Sequence, residues 1–284
     1  MRRGAFGLLV RAWARVRRPR IDHNGTMNEI CDDLADEHRA FDELVEGLDE
    51  AGWNAPTAAT GWSVRDQASH LWFFDQRAHM ALTDPEAFAA DAAWLVAAGG
   101  TEASVVPGRQ VNGAEMMHRW ATDRREMIAV ARTVAESARI PWYGPSMGAR
   151  SFITARLMEA WAHGQDVADS LGFVRDPTDR LRHVAHLGVR ARPFSYATHG
   201  LTMPDLPIHV SLTTPSGSTA VWGPPDAVDA VRGPMIDFCL VVTQRRHHGD
   251  TALDIAGDAA EEWMSIAQAF AGPPGSGRRP GQFA

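Results

Sequence analysis

The sequence contains no lysine: all 28 basic residues are arginine. In a chain so rich in Ala and Asp this reads as GC-biased coding rather than selection for guanidinium chemistry, and it carries no implication of nucleic-acid binding. Cysteine is almost absent. Cys31 and Cys239 lie far apart with no CxxC pairing, which excludes a disulfide scaffold, fits a reducing cytoplasm and makes each a small buried hydrophobe. No run of about 18 apolar residues is present to span a bilayer. The basic start has neither an apolar core of about 7–15 residues nor a small-residue cleavage site, which argues against a signal peptide. Net charge is −7 over 284 residues, but residues 1–26 carry seven Arg against Asp22 alone. The remaining body is therefore strongly acidic, which opposes a large phosphate-binding surface. The basic segment 1–26 reads as an over-extended start, with translation beginning at Met27, or as disordered. An amphipathic membrane-surface anchor is the alternative.

What is present is helical periodicity followed by a change of texture. Ile30, Leu34, Phe41, Leu44, Val45 and Leu48 recur at helical spacing and predict a first helix over about 27–51. Ser63 with Asp66 three residues on is a capping box, so a second helix runs from Val64 to about Leu82. Residues 84–112 read as irregular or short-helical, a third helix as about 113–138, Ile140 to Pro145 as a stiff loop, and a fourth helix as about 149–171. Four long helices with short connectors make a bundle. A linker helix is expected over roughly 178–198. Strands at Leu206–Thr213 and Ser218–Trp222, joined by Pro215-Ser216-Gly217, form a hairpin. Helices over 234–247 and 258–271 and a disordered Pro/Gly/Arg tail over 273–284 complete the chain. The fold class expected is thus a four-helix bundle over 27–175 followed by a small α+β domain over 176–272.

One constellation carries chemistry. In Arg156-Leu-Met-Glu159-Ala-Trp-Ala-His163-Gly-Gln-Asp166, Glu159 and His163 stand four apart on one helical face. If His70 approaches from a facing helix, two nitrogens and one carboxylate oxygen surround a point. Three protein ligands with a vacant position describe a catalytic divalent-metal site rather than a closed structural one. The bland alternative is a solvated helix face with ordinary i,i+3 and i,i+4 pairing. Asp166 is either a partner for the second N–H of a ligand histidine or a surface charge. Arg156 holds an anionic substrate or pairs with Glu159. In Gln244-Arg245-Arg246-His247-His248-Gly249, Arg245 or Arg246 either clamps a carboxylate over the pocket or belongs to a helix C-terminus capped by Gly249. His247 and His248 point apart on a helix and lack a third ligand. His79, His118, His183 and His186 read as ordinary surface or core residues. Trp142-Tyr143 is a candidate pocket wall.

The stretches Trp62-Ser-Val-Arg-Asp-Gln-Ala-Ser-His70-Leu and Glu159-Ala-Trp-Ala-His163-Gly-Gln-Asp166 resemble the two signatures of the mycothiol-dependent maleylpyruvate isomerase metal-binding domain. That domain is one of the DinB-like four-helix-bundle proteins. The resemblance covers about residues 27–175 and implies a divalent metal, usually zinc, on His70, Glu159 and His163. It further implies mycothiol as co-substrate, and a reaction that isomerises a small molecule by thiol addition or transfers the thiol to an electrophile. Gly233 to Cys239 and Ile266 to Gly272 resemble a small domain labelled wyosine-base-formation-like, and match the isomerase's own second domain poorly. The expected function is therefore a cytoplasmic metal-dependent thiol isomerase or S-transferase, with Arg245 as a candidate catalytic residue. Its partners would be small molecules rather than nucleic acid or membrane, and a homodimer is compatible. The competing reading is a non-catalytic metal-binding regulatory or partner-binding module.

Overall fold

The computed structural model describes residues 25–98, 100–275 and 277–283; the basic segment over 1–24 lies outside them. Helix α1 (Met27–Val45) starts at Thr26, which forms a capping box with Glu29. It ends six residues before the predicted 51, because Asp49 caps a separate short helix α2 (Glu50–Trp53). Helix α3 (Val64–Thr83) opens on the predicted box: the Ser63 side chain accepts from the Asp66 amide, and the Asp66 side chain returns to the Ser63 backbone. Asp84 and Pro85 then start α4 (Pro85–Ala97). A 3-10 turn (Gly100–Val105) and α5 (Val106–Arg109) follow, then α6 (Gly113–Ala131), capped by Asn112.

Past Ala131 the expected third helix stops short. Arg139–Trp142 (β1) and Gly144–Gly148 (β2) form an antiparallel hairpin where a stiff loop was expected. Helix α7 (Ala149–Leu171) matches the predicted fourth helix and terminates at Gly172, whose φ of 72° is the left-handed cap that favours glycine. The long helices α1, α3, α6 and α7 form the bundle, α1 packing on α7 and α3 on α6.

The predicted linker helix is two helices, α8 (Leu181–Arg190) and α9 (Arg192–Thr198). Pro193 explains the break, since without an N–H it cannot continue the hydrogen bonding of α8, whereas in the first turn of α9 it is tolerated. Strands β3 (Ile208–Thr213) and β4 (Thr219–Trp222) form the expected hairpin. Two strands were not expected: β5 (Asp229–Pro234), parallel to β3, and β6 (Asp254–Ala256). The sheet order is β4-β3-β5-β6. Helices α10 (Met235–Val242) and α11 (Asp258–Ile266) pack beside this sheet. The chain is mostly helical, with a small sheet-containing C-terminal part.

The main hydrophobic core runs through both parts without interruption, from Ile30, Leu34, Leu157 and Trp161 to Val184, Phe238 and Trp263. Ion pairs reinforce the junction. Glu37 on α1 accepts from Arg175 and from Arg180, the latter at 3.0 Å, and Asp33 faces His183 at 2.7 Å. The described residues of the tail over 273–283 form no helix or strand. It was expected to be disordered on composition, yet it folds back onto the body, with Arg278 donating to Asp166 at 2.8 Å. Among the described residues no helix is long and apolar enough to cross a membrane.

Candidate metal centre

Helix α7 presents Glu159 and His163 one turn apart, and α3 brings His70 to meet them. One ligand atom from each of the three lies within 4.8 Å of the others. The two imidazole centroids are 4.5 Å apart. Trp62 covers both rings, at 5.1 Å from His70 and stacked at 6.2 Å from His163, while Phe74 sits 4.7 Å from His70. His70 and His163 are buried under this aromatic cover.

Hydrogen-bond chains decide which nitrogens are available. His70 Nδ1 lies 2.9 Å from Ser104 Oγ. The Ser104 hydroxyl donates its hydrogen to the Thr101 carbonyl at 2.5 Å, so toward His70 it accepts, and Nδ1 carries the proton. His163 Nδ1 meets the Gln67 side-chain oxygen. The Gln67 amide nitrogen donates to Thr57 Oγ1, whose own hydrogen goes to the Trp62 carbonyl, each at 2.9 Å. Gln67 is thereby oriented with its oxygen toward His163, which again places the proton on Nδ1. Both Nε2 atoms are left to face the centre.

The electrostatics agree. Burial, and then the neighbouring His163, push the His70 imidazole well below its usual pKa, so it is neutral at pH 7 and offers a lone pair. Burial pushes Glu159 upward, but the His163 hydrogen bond and the charges of His163, Arg156 and His70 outweigh it and hold the carboxyl at about 2. Glu159 is a carboxylate at neutral pH, 3.2 Å from His163 Nε2. Two imidazole Nε2 atoms and one carboxylate thus converge on a single point. This donor set fits a divalent cation.

Several neighbours take places other than those expected. Asp166 receives Arg245 on one oxygen and Arg278 on the other, each at 2.8 Å, and does not serve a ligand histidine. Seven residues along a helix from Glu159 is roughly 10 Å, which carries Asp166 toward the C-terminal part. Gln67 and Ser104 fill the role instead. Arg156 pairs with neither Glu159 nor solvent: its Nε donates to Asp75 at 2.9 Å inside the bundle. Trp142 stacks on Phe88 and Tyr143 packs edge-on to Phe74; neither lines the cavity beside His163.

Gly249 is not the cap of α10. The helix ends at Val242, and Gln244 takes the left-handed position at φ 60°. Its amide donates to Val241 O at 2.9 Å and that of Arg245 to Leu240 O at 2.7 Å, the Schellman pattern with Gln in glycine's place. Because the chain leaves the helix here, Arg245 can reach Asp166, and Arg246 forms a two-pronged pair with Asp169 at 2.7 Å on each prong. Arg245 lines a cavity of about 620 Å³ together with His163, Trp62 and Asp166. His247 Nδ1 accepts from the Gly249 amide at 3.0 Å; with α10 already ended, the His247 and His248 rings lie 4.3 Å apart rather than pointing apart on a helix, and no third ligand joins them among the described residues.

Residues 34–168, which contain all three convergent side chains, match the family model of the mycothiol maleylpyruvate isomerase N-terminal domain. This part of the chain belongs to that domain family. Two crystal structures of mycothiol-dependent maleylpyruvate isomerase share the architecture of this family member. One is of a histidine-to-alanine mutant, at TM-score 0.53 and 15% identity, covering 79% of this chain and 91% of the other. The second has TM-score 0.52 and 14% identity, covering 82% and 94%. At such identity the likeness is one of fold, here DinB-like. In sequence, uncharacterized proteins from Mycobacterium tuberculosis strains CDC 1551 / Oshkosh and ATCC 25618 / H37Rv are each 43% identical over 248 residues, 87% of this chain and 96% of theirs.

The sequence shows Gln67 only within the first signature stretch, with no task of its own, and does not single out Ser104. Gln67 stands three residues before His70, the only local signal available, and Ser104 arrives from a distant turn. If Gln67 holds His163 in its ligating tautomer, Gln67→Ala should weaken cation affinity by about 10–100-fold. Competition with a chromophoric chelator would read this directly, and an unchanged affinity would remove the residue from the site.

Proposed function

We propose that this chain is a metal-dependent thiol isomerase or S-transferase that uses a low-molecular-weight thiol of the mycothiol type. The observation that carries this reading is the convergence of His70, Glu159 and His163, two imidazoles and one carboxylate, beside a large cavity. The residues suit zinc, though nickel, iron or manganese would also fit this donor set. A divalent cation held there would favour the thiolate form of a thiol at neutral pH.

The chain's own residues do the remainder. Ser104 and Gln67 hold the two imidazoles in one tautomer, and Trp62 and Phe74 keep water from them. Arg245 faces the cavity, where its guanidinium can take the carboxylate of an anionic electrophile. The thiol must come from outside. Both cysteines are free and buried, with burial pushing Cys31 up to about 11 and Cys239 well above its ordinary value. In the isomerase form of the reaction the thiolate adds to an activated cis double bond, the resulting single bond rotates, and elimination returns the thiol. In the transferase form the carbon–sulfur bond is kept and a leaving group departs.

The test is turnover by the metal-replete protein supplied with a small thiol: isomerisation of maleylpyruvate, in which the thiol is returned, or consumption of the thiol with a monobromobimane-type electrophile. Turnover that chelation abolishes is expected. A bound metal that raises the melting temperature without any turnover would overturn the enzymatic reading in favour of a non-catalytic metal-binding module.

A further inference from the structure

We infer that the C-terminal segment is part of the cavity wall, and that Arg278 supplies, with Arg245, a paired guanidinium site for an oxyanion carried by the substrate. The inference rests on the reading of the cavity beside His163 as a substrate site, and it adds a specificity-determining residue that lies far outside the matched domain.

Three observations converge. The first is anchorage. The segment has no regular structure, yet the Gly281 amide donates to both Asp250 carboxylate oxygens at 2.9 Å. The Phe283 ring lies 4.6 Å from the Arg246 guanidinium and 5.8 Å from that of Arg278. These contacts tie the chain just beyond Arg278 to the body, and Arg278 itself lines the cavity.

Charge is the second. Arg246 is matched by Asp169, but Asp166, itself buried, is shared by Arg245 and Arg278. Two guanidiniums on one carboxylate leave one positive charge without a counter-charge at a place with little solvent. Burial, and then repulsion from Arg245, lower the pKa of Arg278 against the pull of Asp166. A second anion would relieve that repulsion.

The third is unmet hydrogen bonding. The Nε atoms of both Arg245 and Arg278 are buried, and neither has a partner among the described residues. An unpaired buried donor is costly, more so when charged. Both arginines line the same cavity of about 620 Å³, with His163 on its floor. A small shift of the two side chains would turn these donors to the cavity, where an oxyanion with two oxygens would satisfy both.

Carboxylate and phosphate share this chemistry, and binding experiments separate them. Maleate, inorganic phosphate and the neutral dimethyl maleate would be titrated calorimetrically into the full-length protein, as purified and again after chelation. This separates binding to a cation from binding to the arginines, and metal content is measured on every sample. The unaltered protein is expected to bind one of the two anions. Arg278→Gln should weaken that anion by about tenfold or more while metal content and binding of the neutral ester stay unchanged. Arg278→Lys, which keeps the charge but loses the fork, should fall between the two. An affinity unchanged by Arg278→Gln in both preparations would overturn the inference, as would absence of anion binding to the unaltered protein. Because the readout is binding, a protein without thiol turnover would fail the proposed function and still decide this one.

Discussion

Asp75→Ala is expected to cost about 3–5 kcal/mol of folding stability, the penalty for leaving a buried charge without its partner. Asp75 is fully buried on α3 and accepts from Arg156 Nε at 2.9 Å and Trp120 Nε1 at 2.8 Å, with His38 Nε2 at 3.4 Å. Each donor comes from a different bundle helix, so this one carboxylate ties α1, α6 and α7 to α3. Removing it leaves the Arg156 guanidinium inside the bundle without the carboxylate it is paired to. The pH dependence follows from the direction of its shift. Burial raises the Asp75 pKa, but Arg156, His38 and Trp120 outweigh it and hold it below the usual carboxylate range. A carboxyl with a lower pKa in the folded than in the unfolded state stabilises above the unfolded value of about 3.9, and this contribution is lost as pH falls below it. Urea unfolding of both proteins at pH 7 and at stepwise lower pH would show the gap between them narrowing in acid. A loss below about 1 kcal/mol at pH 7 would show that Asp75 is not the tie described.

Glu159→Gln should have the largest effect on the proposed cation, because Glu159 is the only carboxylate among the three convergent donors. A carboxamide keeps the size and the helix but removes the charge that offsets M²⁺. Cation affinity should fall by more than the 10–100-fold expected for a supporting residue such as Gln67. The fold should survive, since Glu159 is not part of the Asp75 network. Equilibrium dialysis against zinc, with circular dichroism as the folding control, checks both halves. Retained affinity in a folded variant would remove Glu159 from the ligand set.

The legible part of this molecule is what local spacing encodes. Ser63 and Asp66 announced the start of α3, and the i,i+4 pair Glu159–His163 announced a shared face on α7. His70 joined them through the family resemblance, since spacing cannot tell which helix faces which. Partners drawn from distant segments escaped for the same reason. Asp75 finds Arg156, Ser104 finds His70, and Arg278 finds Asp166 only when the chain is folded. Short strands were also hidden. β1 contains Pro141 and β5 ends in Gly233-Pro234, residues that demote a strand pattern even though the neighbouring strands supply the pairing. The Pro/Gly composition of the tail pointed to disorder, and its individual anchors, Gly281 and Phe283, have no signature at all.

The most direct test of the account is the metal content of the protein purified without an affinity tag, compared with that of His70→Ala. Elemental analysis should find about one divalent ion per chain in the unaltered protein and almost none in the folded variant. An unaltered protein without stoichiometric metal, or a His70→Ala protein that retains it, would contradict the assignment of His70, Glu159 and His163 as a metal centre.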